Sequence, residues 1–167
     1  MRKDYEIILK LIPENSKVLD IGCSDGELIS YLENKGVSAQ GVELNQEKVI
    51  KCLEKGLDVI HGDINLIVED FPFNQFDYCL LTQTIQAVQK PEQLLNTLKK
   101  VSKNIIVSFN NSARLSKISN FLLSGSFDSL LKKADSDHWY NTDYIHPCSI
   151  KDFKKLAENL DLKIIST

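Results

Sequence analysis

Short runs of β-branched and aromatic residues alternate along the chain with segments whose apolar residues recur at helical spacing. This alternation is typical of βαβ units built on a mainly parallel sheet. Strands are predicted at residues 17–21, 39–44, 58–63, 76–81, 104–109 and 162–165. Helices are predicted at residues 4–12, from Leu28 to a stop at Gly36, from a cap at Asn45 to Gly56, after Pro91, at 112–125 and at 149–160. We therefore predict one α/β domain over residues 1–167.

Composition narrows the class of protein. The chain has 167 residues, 43% of them hydrophobic, with a formal net charge of -3. It has no long basic run, which argues against a nucleic-acid partner, and no stretch near the roughly 18 apolar residues that a membrane helix needs. Its four cysteines contain no CxxC pair, so reduced and mostly buried thiols are expected rather than a zinc site. A cytoplasmic location is expected.

The segment that carries chemistry is Val18-Leu19-Asp20-Ile21-Gly22-Cys23-Ser24-Asp25-Gly26, a buried strand that leads through a glycine turn into a helix. Glycines allow a ligand to approach the backbone, and the helix start offers unpaired N–H donors. The spacing Gly22-x-x-x-Gly26 differs from the G-x-G-x-x-G pattern that serves a pyrophosphate. It therefore disfavours an NAD-dependent oxidoreductase, which stays as an alternative.

Acidic residues follow three successive strands at their carboxyl ends: Asp20, Glu43 and Asp63. Open α/β sheets bind ligands at that edge, and a carboxylate after the second strand can accept the hydroxyls of a ribose. Asp20 suits a cationic group of the ligand. Glu43 and Asp63 also have purely structural interpretations: Glu43 as a solvated strand end, and Asp63 because aspartate initiates turns and caps helices.

The glycine turn resembles the first motif of the class I S-adenosylmethionine (SAM) methyltransferases. Within that superfamily the chain resembles the MetW methionine-biosynthesis proteins over roughly residues 16–165. The closer resemblance depends on later segments: Gly41-Val42-Glu43, Gln83-Thr84-Ile85-Gln86-Ala87-Val88, Ile106-Val107-Ser108-Phe109-Asn110, Trp139-Tyr140-Asn141-Thr142 and Ile145-His146-Pro147-Cys148-Ser149-Ile150-Lys151-Asp152-Phe153.

This resemblance implies a three-layer, Rossmann-like class I methyltransferase fold that binds SAM, with S-adenosylhomocysteine as product or analogue. It places Asp20, Gly22 and Gly26 at the methionine half, Glu43 at the ribose, and Asp63 with Ile64 at the adenine. Gln83 would lie beneath the sulfonium. The implied cofactor-binding set is Asp20, Gly22, Cys23, Ser24, Gly26, Glu43, Leu44, Asp63, Ile64 and Gln83.

Two features depart from the family pattern. Ser24 stands where a glycine is usual, which would weaken SAM binding. The final antiparallel strand, which normally forms a hairpin with the sixth, is missing from the predicted elements. An open sheet edge would result, and a second copy of the chain or a partner would be expected to cover it.

The resemblance implies a SAM-binding, methyltransferase-like protein of methionine biosynthesis that acts with homoserine O-acyltransferase. Two versions stay open. In one, the chain is a methyltransferase with an unidentified small-molecule acceptor. In the other, it is a SAM sensor without catalysis, which is mildly favoured because no acid, base or thiolate is evident after the fourth strand.

Two further segments invite interpretation. The polar and aromatic stretch at 133–148 is predicted to be a lid or a docking patch built on Trp139, Tyr140 and Tyr144, because long loops in compact domains are usually functional. It also contains many oxygen and nitrogen ligands, but not at a recognised metal spacing, so no metal is expected. The helix at 112–125 is interpreted as a core element, with a partner-binding exposed face as the alternative.

Overall fold

The computed structural model describes residues 1–126 and 145–166. The chain divides into two compact units, one made of Met1–Thr84 with Gln93–Ser108 and the other of Ile85–Glu92 with Phe109–Thr167. The single domain expected from the sequence stays a prediction. None of the described helices combines the length and the apolar composition that a membrane span needs.

The first unit contains a five-stranded sheet in which every neighbouring pair is parallel. The strand order is β3-β2-β1-β4-β5. Most residues of the central strands β1, β2 and β4 are buried, as expected for strands covered on both faces of a parallel sheet. The strands are β1 (Lys17–Ile21), β2 (Ser38–Glu43), β3 (Val59–His61), β4 (Phe76–Thr82) and β5 (Ser102–Ser108).

Seven α-helices are described in the two ranges together. Local sequence sets several of their ends: Asn45 caps α3 by accepting from the Lys48 N–H, and Gly36 takes a left-handed φ of 81° just beyond α2. The helices are α1 (Lys3–Leu11), α2 (Glu27–Asn34), α3 (Gln46–Glu54), α4 (Ile64–Ile67), α5 (Pro91–Val101), α6 (Leu115–Ser124) and α7 (Ile150–Asn159). A 3-10 turn, Val68–Asp70, follows α4.

The core of the first unit lies between α1, α2 and α3 and the sheet. The helices present their periodic apolar residues to β1 and β2, and burial of each such side chain stabilises the fold by about 1.5–3 kcal/mol. Lys35, after α2, donates from Nζ to the Ile12 carbonyl across 2.5 Å, which ties the end of α1 to α2. The buried residues that the three helices and Ile12, the C-cap of α1, contribute to this cluster are Tyr5, Ile8, Ile12, Leu28, Ile29, Leu32, Val49 and Cys52.

The described part of the second unit is organised around Gln86, whose side chain is 2% exposed. Its Nε2 donates to the carbonyls of Asn110 and His146, and its Oε1 accepts from the Asn110 N–H across 3.0 Å. The Gln86 carbonyl also accepts from the N–H groups of Ile145 and His146, each across 3.0 Å. Gln86 thus joins three segments that are far apart in sequence.

Two sequence predictions are wrong for the described residues. Residues 162–165 form no strand, because a strand requires a hydrogen-bonded neighbour and this segment has none in the described sheet. The helix predicted at 112–125 begins at Leu115 and buries none of its residues, so it is not a core element of the described structure. Its Leu115, Leu122 and Leu123 are exposed.

Several predicted ends move by one to three residues, and one pair of short elements was not predicted. Strand β3 is confined to Val59–His61, and β5 begins at Ser102 rather than at residue 104. Helix α4 and the 3-10 turn after it were missed because four residues are too few for a helical period to be visible. Helix α7 starts with a capping box between Ser149 and Asp152, close to its predicted start.

Candidate functional site

The strand order places a switch point beside β1. Strands β2 and β3 lie on one side of β1, and β4 and β5 lie on the other. Chain connections leave such a point in opposite directions, which opens a crevice at the carboxyl ends of the strands, where open α/β sheets bind ligands. The residues that follow β1, β2, β3 and β4 therefore belong to one edge of the sheet.

The turn after β1 requires glycine at two positions. Gly22 has φ 73° and Gly26 has φ 77°, both in the left-handed region. A Cβ at Gly22 would lie 2.7 Å from Oγ1 of Thr84, and one at Gly26 would lie 2.3 Å from Cδ1 of Leu57. Gly22 also donates its N–H to the Val42 carbonyl across 2.8 Å. The turn is thus held tightly against its neighbours, and side chains are excluded there.

Ser24 stands between the two glycines and has φ 55°, a conformation that costs a residue with a Cβ about 1–2 kcal/mol. Its backbone N–H donates to Oε2 of Glu43 across 2.8 Å. The turn that glycine would form without strain is therefore also formed by serine, with Glu43 as its acceptor.

Glu43 ends β2 and is only 8% exposed. Its Oε2 accepts from Ser24, and its Oε1 accepts from the Asn45 N–H across 2.9 Å. Two backbone donors therefore fix the orientation of the carboxylate. A carboxylate has about four lone-pair positions, so each oxygen keeps capacity for a ligand hydroxyl.

Asp20, in β1, is 1% exposed, and the Thr82 hydroxyl lies 3.4 Å from its Oδ1 as donor. Burial raises the pKa of Asp20 to about 7, and the charge of Glu43 adds to the increase, while the Thr82 hydroxyl and the charge of Arg2 oppose it. A cationic ligand group would favour the ionised form of this carboxyl.

Cys23 is buried beneath the turn, 5% exposed, and Cys52 of α3 lies beside it with its Sγ 3.3 Å from the Ser24 carbonyl. Burial raises the pKa of the Cys23 thiol well above its usual range, and the nearby charge of Asp20 adds to this. A neutral thiol is a poor nucleophile. Cys23 packs in the hydrophobic core cluster, and its part in cofactor binding stays a prediction. All four cysteines are free thiols, as expected.

An exposed apolar residue, Leu44, follows β2, and an aspartate that caps α4, Asp63, follows β3. Leu44 is 65% exposed, and its carbonyl lies 3.0 Å from Nε2 of His61. Ile64 is buried, whereas Asp63 accepts from the Asn65 N–H across 2.9 Å at the start of α4. Asp63 therefore takes the capping role that the sequence left open, and its second oxygen, Oδ2, is not used in that bond.

Gln83 follows β4 with φ 60°, a strained conformation for a residue with a side chain. Its N–H donates to the Ser108 carbonyl across 2.8 Å, which fixes the end of β4 against β5. Thr84, the next residue, donates from Oγ1 to the Ile21 carbonyl across 2.9 Å, and its side chain covers Gly22.

All ten residues predicted for the site lie in the first unit, in or just after β1, β2, β3 and β4. Sequence reasoning missed Thr82, which bonds to Asp20, and Arg2 of the N-terminal segment, whose charge acts on Asp20. Neither lies in a recognisable motif, because both depend on strand pairing or helix packing. The aromatic residues Trp139, Tyr140 and Tyr144 lie outside the described residues, as does most of the stretch weighed as a metal site. Among described side chains, no group of three or more His, Cys, Asp or Glu could hold a metal.

Sequence comparison identifies relatives of the whole chain. The family model of the methionine biosynthesis protein MetW matches residues 2–167. The bifunctional methionine biosynthesis protein MetXA/MetW of Rhodopirellula baltica is 32% identical over 170 residues, which cover 96% of this chain and 27% of that protein. This chain therefore spans about a quarter of that relative's length.

Solved structures show the same fold at low identity. A SAM-dependent methyltransferase from Methanosarcina mazei superposes with a TM-score of 0.71 at 17% identity, covering 92% of this chain and 82% of the other. One from Aquifex aeolicus has a TM-score of 0.69 at 18% identity, covering 98% and 81%. Likeness at this identity shows the fold alone. Because the family match extends over almost the whole chain, this chain belongs to the MetW family and has the Rossmann-like α/β fold of SAM-dependent methyltransferases.

Proposed function

We propose that this chain binds SAM or S-adenosylhomocysteine at the carboxyl edge of its sheet and serves methionine biosynthesis together with a homoserine O-acyltransferase. The observation that carries the proposal is the position of Glu43. A buried carboxylate held by the N–H groups of Ser24 and Asn45 stands at the end of β2, beside the glycine turn. A fixed acceptor at that point suits the two hydroxyls of a ribose.

The rest of the edge fits the other parts of the same ligand. Asp20 offers a buried carboxyl near the turn, which suits the positive charge of an ammonium or sulfonium group. Leu44 offers an exposed apolar side chain beyond Glu43, and buried Ile64 begins α4 shortly after β3, so both can provide the apolar contacts that an adenine ring requires. Gly22 and Gly26 keep the turn free of side chains. Asp63, with Oδ2 still available, is proposed to accept from the adenine amino group.

Calorimetric titration of the full chain with SAM and with S-adenosylhomocysteine tests the proposal, with NAD as a comparison ligand. We expect binding of both SAM compounds and none of NAD. Glu43→Ala should abolish it, whereas Glu47→Ala, an exposed carboxylate in the first turn of α3, should bind like the wild type. If the wild type binds neither SAM nor S-adenosylhomocysteine, the proposal fails.

Because Glu43 also braces the turn, a second variant separates binding from folding. Leu44 has its side chain largely in solvent, so Leu44→Ala should leave the unfolding temperature unchanged. If an adenine ring packs on the Leu44 side chain, this variant should bind S-adenosylhomocysteine about tenfold more weakly. Unchanged affinity in this variant would remove Leu44 from the site.

The partner is proposed from the composition of a relative. In Rhodopirellula baltica a MetW sequence is part of a bifunctional MetXA/MetW protein, which supports a MetW protein working beside an acyltransferase. Co-purification of this chain with the homoserine O-acyltransferase of the organism that encodes this chain tests the proposed partnership. We expect a complex, and an acylation rate that responds to SAM. If no complex forms and the acylation rate does not respond to SAM, the proposed partnership is refuted.

Catalysis and sensing make different predictions at this site. Neither Gln83 nor Thr84, which follow β4, carries a titratable group, and methyl transfer there would depend on the placement of an acceptor that is already nucleophilic. A methyltransferase converts SAM to S-adenosylhomocysteine when an acceptor is supplied. A sensor changes the acylation rate and leaves SAM intact, so chromatography of the nucleosides after incubation with homoserine, the acyltransferase and its acyl donor separates the two roles.

A further inference from the structure

A network of polar side chains connects the start of α1 to the carboxyl edge of the sheet. Arg2 donates from Nε to Oδ1 of Asp4 across 3.0 Å and from Nη2 to Oδ2 of Asp4. Its Nη1 donates to the Tyr5 hydroxyl across 3.1 Å. The same Asp4 oxygen, Oδ2, accepts from the hydroxyl of Ser108, the last residue of β5, across 3.2 Å.

The network ends beside the proposed methionine subsite. Ser108 pairs with Thr82 across β4 and β5, and Thr82 lies within hydrogen-bonding distance of Asp20. The Ser108 carbonyl accepts from the N–H of Gln83. The guanidinium of Arg2 is therefore held, through Asp4, at the edge that carries Asp20 and Gln83.

Arg2 has hydrogen-bonding capacity left over. A guanidinium has five N–H bonds, and Arg2 uses three of them with Asp4 and Tyr5 in the described structure. Its side chain is 36% exposed and its Cζ lies 4.3 Å from the centroid of the Tyr5 ring. The ring and the Asp4 carboxylate fix the guanidinium plane while leaving two N–H groups for an incoming acceptor.

The charges of the site call for such a cation. The amino-acid half of SAM carries an ammonium and a carboxylate. Asp20 is proposed to bind a positive group of the ligand, and Glu43 the ribose hydroxyls. A ligand carboxylate placed beside these two buried acids is unfavourable unless a cation binds it. Arg2 is the cation whose charge acts on Asp20. Arginine is also the side chain best suited to a carboxylate, because its N–H groups match the two oxygens.

We propose that Arg2 receives the α-carboxylate of the amino-acid half of SAM or S-adenosylhomocysteine, so that the site selects ligands with an intact amino-acid group. This inference rests on the proposed function, since it assigns one subsite of the same ligand. Asp4 and Tyr5 then act as positioning residues that hold the guanidinium toward the edge.

Two nucleosides test the assignment by calorimetric titration of the full chain. S-adenosylhomocysteine has the amino-acid half, and 5′-methylthioadenosine lacks it. We expect Arg2→Gln to weaken the binding of S-adenosylhomocysteine by about tenfold to about a hundredfold and to leave the affinity for 5′-methylthioadenosine unchanged. Arg2→Lys keeps the charge without the planar fork and should give an intermediate loss for S-adenosylhomocysteine alone.

The matched control is Lys3→Gln, which removes the same charge from the neighbouring, exposed residue and should bind both nucleosides like the wild type. The proposal is overturned if Arg2→Gln keeps full affinity for S-adenosylhomocysteine, or if it loses both nucleosides equally, which would indicate a structural role. A wild type that binds neither nucleoside refutes the proposed function itself, and the inference with it.

Discussion

The backbone N–H of Ser24 donates to Oε2 of Glu43 across 2.8 Å, which joins the turn after β1 to the end of β2. The second oxygen of Glu43 accepts from Asn45, so that one buried carboxylate organises two loops at once. The proposed ribose acceptor is therefore in place before a ligand arrives. Pre-organisation of this kind lowers the cost of ordering a site on binding.

Glu43→Gln should lower the free energy of unfolding by about 1–3 kcal/mol, because it replaces one accepting oxygen with an NH2 group that faces a backbone donor. Urea denaturation measures the change. The exposed Glu47→Gln serves as its control and should stay within about 0.5 kcal/mol of the wild type. Equal stabilities for the two variants would contradict the bracing role of Glu43.

Ser24→Gly should raise the free energy of unfolding by about 0.5–1 kcal/mol. Glycine adopts φ 55° without strain, and this gain exceeds the extra entropy that glycine gives the unfolded chain. Ser30→Gly, the same substitution inside α2, should lower it by about 1 kcal/mol. Thermal unfolding of both variants checks the opposite signs, and a loss of stability in Ser24→Gly would mean that the turn holds serine without strain.

Asp20 should make the folded chain less stable as the pH rises from about 4 to about 7. Burial raises the pKa of this carboxyl from 3.8 to about 7, so in this window the unfolded chain has released a proton that the folded chain still holds. The stabilising contribution of Asp20 is fully present below its pKa in the unfolded chain. As the pH rises above that value, the free energy of unfolding falls by at most about 1.4 kcal/mol per pH unit. The charged groups that act on Asp20 are Arg2, which opposes the shift, and Glu43, which adds to it.

Urea denaturation of the wild type and of Asp20→Asn, at about pH 5 and at about pH 7.5, isolates this effect from other carboxyls. Relative to Asp20→Asn, the wild type should have a lower free energy of unfolding at about pH 7.5 than at about pH 5. A difference that does not change with pH would show that Asp20 titrates alike in the folded and unfolded chain.

Gln86→Leu should destabilise the second unit by about 1–3 kcal/mol, because it removes the acceptor of the Asn110 N–H and the donor to the carbonyls of Asn110 and His146. Gln89→Leu, at an exposed position of the same segment, should have little effect. Hydrogen exchange should report faster exchange at the Asn110 amide in Gln86→Leu only. Protection of that amide equal to the wild type would contradict the role of Gln86.

Gln86 also shows that a residue within a segment resembling a family motif can have a structural role. Within the stretch from Gln83 to Val88, Gln83 is the predicted ligand contact and follows a strand. In the structure the more buried glutamine is Gln86, and its partners are the backbone near Asn110 and His146. No pattern in a single sequence pairs residues 86 and 146, so this contact was not predictable.

The sequence by itself determined the local elements of this protein and the residues at the sheet edge. Buried parallel strands are rich in apolar residues, and Gly22 and Gly26 mark a turn that only glycine forms without strain or collision. The predicted strands at 17–21, 39–44, 58–63, 76–81 and 104–109 all correspond to strands of the sheet, and Asn45 caps α3 as expected.

Only the tertiary structure decided which of these elements acquire partners. Residues 162–165 have the composition of a strand but no neighbour in the described sheet, and α6 has an apolar periodicity but no buried residue, because pairing and burial depend on what lies alongside. The same holds for the site. Arg2, Thr82 and Ser108 come together through helix packing and the register of β4 with β5, which are long-range relationships that local sequence does not encode.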